Sequence, residues 1–253
     1  MAERPRLLIL GGTTEAVEVA QRAAAKYAIV YSLAGRTKTP VIPEGVKFRK
    51  GGFGGEKALA AWLSRKRINR VLDATHPFAQ NIAKNVETAC KQTQTDRLKL
   101  LRPEWKEQPG DIWHSASNIK DAARLLENTK KRVFLSIGRQ AIDTFSKLTN
   151  TAFVVRSIDL PKPTDFPKNI KIITGRGPFA IEQEHKLLVQ HKIDLVISRN
   201  SGGYATYGKI AAARQLSIPV IMVARPPYSP KKIVDTTESA VEWLQITNLR
   251  FNS

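Results

Sequence analysis

Short apolar runs alternate with segments of helical periodicity along most of this chain. In the first half the apolar runs lie at residues 7–10, 28–33, 46–48, 70–74 and 97–101. Between them, apolar positions recur at the three- and four-residue spacing of helices, as in residues 16–20 and 59–63. Strands and helices that alternate in this way predict parallel sheets with right-handed crossovers. The predicted fold class is therefore α/β.

The second half of the chain repeats this order. Its predicted strands, some with the turns that follow them, lie at residues 133–138, 152–158, 171–179, 194–203 and 219–227. A polar, proline-containing run, residues 102–110, separates the two halves. We therefore expect two Rossmann-like parallel-sheet domains, residues 1–120 and 121–253, with a ligand cleft between them.

The first apolar run leads directly into a glycine turn. Gly11 and Gly12 are followed by Thr13, Thr14 and the start of a helical segment. Glycines at such a turn let the backbone approach a ligand, and the positive end of the helix favours a pyrophosphate. The spacing is not that of the GxGxxG motif, and a purely steric reason for the glycines stays open.

The tip of the second strand carries no carboxylate. A carboxylate there would accept a hydrogen bond from the ribose hydroxyl of NAD, whereas this tip has Ser32, Arg36 and Thr37. An arginine flanked by hydroxyl groups suits a phosphate on that ribose, which favours NADP over NAD. The alternative is that Arg36 is one more surface cation of a basic chain.

Other strand ends carry polar residues of the kind that bind ligands. Thr75 and His76 follow the fourth strand, and Pro77 is predicted in the first turn of a helix that begins at Phe78. His76 either donates a proton, or forms a hydrogen bond to a substrate carboxylate, or caps this helix. In the second half, arginines beside glycines at the strand ends suit carboxylates: these are Gly138 with Arg139, Gly175–Arg176–Gly177, and the glycine turn Ser201–Gly202–Gly203.

Charge is the unusual feature of the composition. The chain has 41 Lys and Arg against 22 Asp and Glu, a net charge of +19. Such a surface attracts nucleic acid or an acidic small molecule, but no nucleic-acid-binding motif or zinc-ligand spacing accompanies it. The lone Cys90 lies in a helical pattern and is expected in the core. Without a signal-peptide core or a membrane-length apolar run, we expect a soluble, cytoplasmic protein.

A set of short motifs resembles, in order and spacing, the precorrin-6A reductase family of cobalamin biosynthesis. The motifs are LILGGTTEA, SLAGRT, GGFGG, DATHPFA, GRGPF, SGG with ATYGKIAAAR, and PVIMVARPP. The resemblance implies an NADPH-dependent reduction of a macrocycle double bond of precorrin-6A, or of its cobalt-containing counterpart, to precorrin-6B. It also implies two Rossmann-like domains that can exchange strands, and an anionic tetrapyrrole-derived substrate. No metal site is expected, because no second histidine lies near His76 in the sequence.

The resemblance also assigns residues. It implies that the cofactor is bound by Gly11, Gly12, Thr13, Thr14, Glu15, Ser32, Arg36, Thr37 and Thr75. It places Phe78 near the nicotinamide or the macrocycle, and on the substrate side Gly175, Arg176, Gly177, Ser201, Gly202, Gly203 and Lys209. Arg139 is added to the substrate side from its position at a strand end. The proton donor stays open, because geometry decides a general acid and the sequence does not show it: the candidates are His76, Tyr204 and Lys209, and also Tyr207, Asp143 and water.

Two other classes of protein share parts of this pattern. A nucleotide-sugar transferase would have two Rossmann-like halves, and a basic RNA-binding protein would have the charge. A nucleic-acid partner and a membrane are not expected, and the oligomeric state is not predicted. The ordered motifs favour the reductase.

Overall fold

The computed structural model describes residues 4–35, 37–127, 129–145, 147–159 and 169–246, with the backbone alone described at residues 139–141. The chain begins with β1 (Arg6–Leu10), α1 (Thr14–Ala23), β2 (Ala28–Leu33), β3 (Lys47–Lys50), α2 (Glu56–Arg65), β4 (Arg70–Asp73), α3 (Gln80–Gln92) and β5 (Asp96–Leu100). It continues with β6 (Trp113–Ala116), α4 (Ile119–Arg124), β7 (Arg132–Ser136), a 3₁₀ helix (Arg139–Phe145), β8 (Ala152–Ser157), β9 (Ile170–Thr174), α5 (Ile181–Gln190), β10 (Leu195–Arg199), α6 (Gly208–Gln215) and β11 (Val220–Val223). It ends with β12 (Ile233–Val234) and α7 (Thr237–Gln245).

The strands form two six-stranded parallel sheets that share the order of five strands and differ in the sixth. The first has the order β3-β2-β1-β4-β5-β12, and the second has the order β9-β8-β7-β10-β11-β6. Both sheets have the doubly wound arrangement, in which the strand order reverses beside β1 in the first and beside β7 in the second. The sixth strand is last in the chain in the first sheet, whereas in the second sheet it precedes the other five. The predicted fold class is confirmed, including the exchange of strands: β12 completes the first sheet, whereas β6 completes the second.

The chain accordingly divides into two units that differ from the predicted domains. The first unit comprises the described residues up to Arg102 together with those from Pro227 onward, and the second unit is Pro103–Pro226. Residues 103–120 therefore group with the second unit and not with the first. The reason is strand pairing, because β6 pairs with β11, and β12 pairs with β5.

The core of the first unit has a layer on each face of its sheet. Along β1, Leu7 and Ile9 belong to a cluster with apolar side chains of α1 and α7, whereas Leu8 and Leu10 belong to a cluster with side chains of α2 and α3. A strand that is covered on both faces has a continuous run of apolar residues in its sequence, as β1 has at residues 7–10. Cys90 of α3 lies in this core, and burial raises the pKa of its thiol to about 12, which confirms the expectation of a core residue.

The core of the second unit is built on Phe134, Val196 and Met222 of the central strands, with Leu188 of α5 and Ile210 of α6. Helix α6 carries an unbroken buried stretch, residues 208–213. Among the described residues, no helix combines the length and apolar character needed to cross a lipid bilayer.

Candidate active site

The glycine turn lies where the strand order of the first sheet reverses, between β1 and β4. Open α/β sheets bind ligands at this position, beyond the carboxyl ends of the strands. The Thr13 hydroxyl donates to the Ala74 carbonyl at the end of β4, at 2.9 Å, and accepts from the Ala16 amide at 3.2 Å. Thr13 thus caps α1 and ties the turn to the next strand, while Thr14 opens the helix.

Each glycine of this turn has its own physical reason. A Cβ at Gly11 would lie 2.3 Å from the Tyr31 ring, so the residue is small because a buried aromatic side chain packs on it. Gly12 has a φ of +109°, which L residues with a side chain rarely adopt. Its amide donates to the Tyr31 hydroxyl at 3.4 Å. The steric explanation left open by the sequence therefore holds for Gly11, and a backbone explanation holds for Gly12.

Glu15 forms an ion pair that the sequence does not reveal. Its carboxylate accepts from Arg102 Nη1 at 2.9 and 3.2 Å. Both residues line a small pocket together with Thr13, Thr75 and Pro77. Arg102 falls in the run that the sequence marks only as a boundary, although its position just beyond β5 places it at the ligand edge of the sheet.

Near the end of β2, the strand next to β1, Ser32 is buried, and its hydroxyl accepts a hydrogen bond from Arg49 Nη1 at 2.8 Å. Arg49 belongs to β3, opposite Ser32 in the parallel register. Thr37 is half-buried in the following loop, and Arg36 lies outside the described residues. Arg49 was not among the predicted residues. The sequence feature that could have identified it is a cation near the end of an edge strand, just before a glycine-rich loop.

Thr75 sits on a buried charged network. Its hydroxyl donates to Asp73 at 2.7 Å, and Lys99 Nζ donates to Asp73 at 3.0 Å, to the Thr75 carbonyl at 3.0 Å and to the Thr75 hydroxyl at 3.1 Å. Asp73 and Lys99 are almost fully buried. Burial lowers the pKa of Lys99, and the Asp73 carboxylate opposes that shift. The network holds Thr75 at the pocket, and Lys99 was not among the predicted residues.

The segment after Thr75 is a turn, and α3 begins at Gln80, two residues later than the predicted start at Phe78. His76 Nδ1 accepts from the Phe78 amide at 3.2 Å. When the ring is neutral, its hydrogen is therefore on Nε2. The rings of His76 and Phe78 are 5.7 Å apart, and both side chains are half-buried. This bond lies within the turn before α3, whose N-cap is Ala79 and has no side-chain cap, so the interpretation of His76 as the residue that caps this helix is wrong.

In the second sheet the strand order reverses between β7 and β10. Gly138, just beyond β7, has a φ of +79°, and a Cβ there would lie 3.6 Å from Arg199 Nη1 at the end of β10. The two strand ends therefore meet, with a guanidinium between them. Arg199 was missed, and the side chain of Arg139 lies outside the described residues.

The Gly175–Arg176–Gly177 turn rests on a buried ion pair. Arg156 of β8 and Glu184 of α5 are paired through both oxygens of the carboxylate, and their side chains are 7% and 2% exposed. The guanidinium carbon of Arg156 lies 3.6 Å from the centre of the Phe179 ring. A Cβ at Gly175 would lie 3.3 Å from both Arg156 and Phe179. The turn is thus packed directly on the ion pair, with Arg176 exposed above it.

The Ser201–Gly202–Gly203 turn is explained by packing within the second unit. A Cβ at Gly202 would lie 2.0 Å from the Pro103 carbonyl oxygen, and φ at Gly202 is +65°. The Gly203 carbonyl accepts from the Trp105 indole at 2.8 Å. These glycines are needed by the chain itself, so they are weaker indicators of a ligand than the sequence suggested.

The candidate proton donors of the second unit occupy very different environments. Tyr204 is 75% exposed. Lys209 is buried, its ammonium donates to the Thr206 carbonyl at 2.6 Å, and it lies 4.8 Å from the centre of the Trp105 ring. The Tyr207 hydroxyl accepts from Arg214 Nη2 at 2.5 Å, and Asp143 is exposed. Within the described ranges, no group of three or more His, Cys, Asp or Glu residues could hold a metal ion.

Comparison with known proteins assigns this architecture to a family. The family profile described as "Precorrin-6x reductase CbiJ/CobK" matches residues 6–245. This chain belongs to the precorrin-6x reductase family. The solved structure of "CobK precorrin-6A reductase" superposes on it with a TM-score of 0.91 and 37% sequence identity, over 95% of this chain and 96% of that chain.

Two groups of relatives differ in their similarity to this member of the family. A precorrin-6A reductase of Sinorhizobium sp is 46% identical over 94% of this chain and 92% of that protein, and one of Rhodococcus erythropolis is 42% identical over 94% and 97%. A cobalt-precorrin-6A reductase of Salmonella typhimurium is 26% identical over 87% of each chain. A reductase family of this kind implies a nicotinamide cofactor.

Proposed function

We propose that this chain reduces a macrocycle double bond of precorrin-6A to give precorrin-6B in cobalamin biosynthesis, with NADPH as the reductant. The observation that carries the proposal is the family match over residues 6–245, together with a glycine turn at the point where the first sheet reverses its strand order. A parallel sheet of this order presents such a turn to the phosphates of a dinucleotide.

Relatives of two kinds bear on the substrate. Those named precorrin-6A reductase are 37–46% identical to this chain, whereas those named cobalt-precorrin-6A reductase are 24–28% identical. The higher identity supports the metal-free macrocycle as the substrate. The assignment is testable because the two macrocycles differ in absorbance.

The residues of the first unit fit a dinucleotide. The positive φ of Gly12 turns the chain into α1, and the amino end of this helix, capped by Thr13, offers amide groups to the pyrophosphate. Glu15 contributes by holding Arg102 at the pocket. Ser32, Arg36 and Thr37 are assigned to the ribose phosphate, and Thr75 to the nicotinamide end. Bound NADPH supplies the hydride; the protein supplies orientation and charge.

For the proton we favour His76. Its Nδ1 is engaged by the Phe78 amide, so Nε2 carries the hydrogen of the neutral ring. The ammonium of Lys209 is already bonded to the Thr206 carbonyl beneath Trp105, and Tyr204 is exposed, which ranks both below His76. Phe78 beside the imidazole gives an apolar surface suited to a flat macrocycle.

The second unit is assigned to the carboxylates of the macrocycle. Its strand ends present Arg176 and Arg199 next to glycine turns, and guanidinium groups bind carboxylates through two parallel hydrogen bonds. Arg139 is assigned to the same role. Because precorrin and NADPH are both strongly anionic, a net charge of +19 favours their capture.

The first test is binding of NADPH and of NADH to the purified protein, followed by nicotinamide fluorescence. We expect NADPH to bind at least about tenfold more tightly than NADH, because one charged phosphate contact changes affinity by about that factor. Arg36→Ala should remove most of the preference. Consumption of NADPH that depends on precorrin-6A then tests the reaction.

Failure to bind either nucleotide would contradict the reductase proposal. Binding assays with a nucleoside-diphosphate sugar and with RNA at several salt concentrations would then decide between the two remaining classes. An RNA-binding protein would lose affinity steeply as salt rises, and would not respond to NADPH.

A further inference from the structure

The GGFGG loop, residues 51–55, is a motif that the proposed reaction does not by itself explain. In the structure it follows β3 and surrounds one side chain, Arg49. Arg49 Nη1 donates to the Gly51 carbonyl at 3.0 Å, and Nη2 donates to the Gly52 carbonyl at 2.9 Å. The guanidinium carbon lies 3.7 Å from the centre of the Phe53 ring, which in turn packs edge-on against Trp62 at 5.2 Å. The loop therefore serves to hold a cation in place.

The position of this cation is set by strand register. Arg49 is opposite Ser32 in the parallel pairing of β2 and β3, and its Nη1 also donates to the Ser32 hydroxyl at 2.8 Å. One residue further on, a Cβ at Gly35 would lie 2.9 Å from Lys50, so the loop after β2 lies against the end of β3. In a sheet of this order, the tip of the second strand is where the adenosine ribose of a dinucleotide binds.

The charge of Arg49 is not neutralised by the protein. Within the part of the chain that the structure describes, no carboxylate forms an ion pair with it, and its partners are two carbonyls, one hydroxyl and two aromatic rings. These bonds use three of the five N–H groups of a guanidinium, which leaves two donors. Burial lowers the pKa of Arg49, as expected for a cation whose environment lacks a counter-ion.

We propose that Arg49 binds the 2′-phosphate of NADPH and is a main determinant of the preference for NADPH over NADH, with Phe53 as its positioning residue. The inference rests on the proposed function, and it adds a residue and a loop to that site. A partly desolvated guanidinium with two donors left matches a phosphate dianion, and the fixed geometry reduces the entropy lost on binding. It also explains why a glycine-rich loop contains a phenylalanine.

The test compares Arg49→Met with Lys47→Met. Both substitutions replace a cation of β3 by the same side chain, but Lys47 is exposed at the start of the strand, away from Ser32. We expect Arg49→Met to weaken NADPH binding by about 10- to 100-fold and NADH binding by less than about twofold. Lys47→Met should change neither by more than about twofold.

Adenosine fragments of the cofactor, with and without the 2′-phosphate, test the phosphate contact without the nicotinamide. By calorimetry, 2′,5′-ADP should lose affinity for Arg49→Met by the same factor as NADPH, whereas 5′-ADP should bind both proteins equally. Phe53→Leu should give a smaller loss for NADPH, with KM for NADPH raised and kcat at saturation unchanged. Arg49→Lys keeps the charge without the fork and should lie between wild type and Arg49→Met, which keeps the test informative if Arg49→Met does not fold.

The outcomes separate this inference from the proposed function. If the wild-type protein binds neither nucleotide, the proposed function fails. If the wild-type protein prefers NADPH and Arg49→Met keeps that preference, or loses NADPH and NADH equally, the assignment of Arg49 alone is overturned. A selective loss of NADPH and of 2′,5′-ADP supports it.

Discussion

The buried ion pair between Arg156 and Glu184 offers the sharpest test of how the second unit is held together. Replacing Glu184 by glutamine removes the negative charge with almost no change in shape, and leaves a guanidinium that is only 7% exposed without its counter-ion. Breaking a buried pair in this way costs about 3–5 kcal/mol. The Phe179 and Phe134 rings, 3.6 and 5.0 Å from the guanidinium carbon, offset only a small part of that cost.

Hydrogen exchange measured by mass spectrometry suits this prediction because it resolves the two units. The exchange of β8 and β9 peptides should accelerate by about 100- to 4,000-fold, which corresponds to 3–5 kcal/mol at tenfold per 1.4 kcal/mol. Peptides from β1 and β4 of the first unit serve as an internal reference. Glu182→Gln, the same change at an exposed position of α5, should cost less than about 0.5 kcal/mol.

A double substitution completes the test. Arg156→Met with Glu184→Leu replaces the pair by apolar side chains, and should recover most of the stability lost in Glu184→Gln. The Gly175–Phe179 turn packs on Arg156, so KM for precorrin-6A should rise in both variants while the affinity for NADPH stays unchanged. If Glu184→Gln is as stable as Glu182→Gln, or if the double variant is no better than the single one, the reasoning about this pair is refuted.

Two further predictions concern stability. Burial raises the pKa of Cys90 from about 9 in the unfolded chain to about 12 in the folded protein. As pH rises, the thiol of the unfolded chain therefore loses its proton first. The free energy of unfolding is unaffected below pH 9 and falls by about 1.4 kcal/mol per pH unit between pH 9 and 12. Cys90→Ala should remove this part of the slope in urea titrations at several pH values; an unchanged slope would contradict it. Gly202→Ala should cost at least about 2 kcal/mol more than Gly45→Ala in thermal unfolding, because both positions have positive φ but only Gly202 faces a carbonyl, at 2.0 Å. Equal costs would show that the Pro103 contact relaxes freely.

Local features of the site could be predicted from sequence because they depend on neighbours along the chain. The apolar run 7–10, the glycines and a helix with the apolar positions 16–20 follow from short-range patterns, and the structure has β1 at Arg6–Leu10 and α1 at Thr14–Ala23. The buried state of Cys90 follows from helical periodicity in the same way. The start of α3 was predicted two residues early because Pro77 allows a helix start but also suits the turn that His76 and Phe78 form.

Residues that act through distant partners could not be predicted in this way. Arg49 is one of many cations in the sequence, and only the register of β3 against β2 brings it to Ser32. Arg102 looks like part of a boundary until it meets Glu15, 87 residues away along the chain. Gly202 looks like a ligand turn, although the Pro103 backbone is what requires the glycine.

The sequence by itself determined the alternation of strands and helices up to β11, the parallel class of the sheets and the glycine turn, since each follows from periodicity and backbone preferences within about twenty residues; it did not predict β12. The tertiary structure decided which strands complete which sheet. Strands β6 and β12 are too short for their residue pattern to indicate which strand they pair with. Because β6 pairs with β11, and β12 pairs with β5, the boundaries between the units lie at residues 102 and 227 and not at residue 120. Strand pairing is a long-range contact, and no local pattern encodes it.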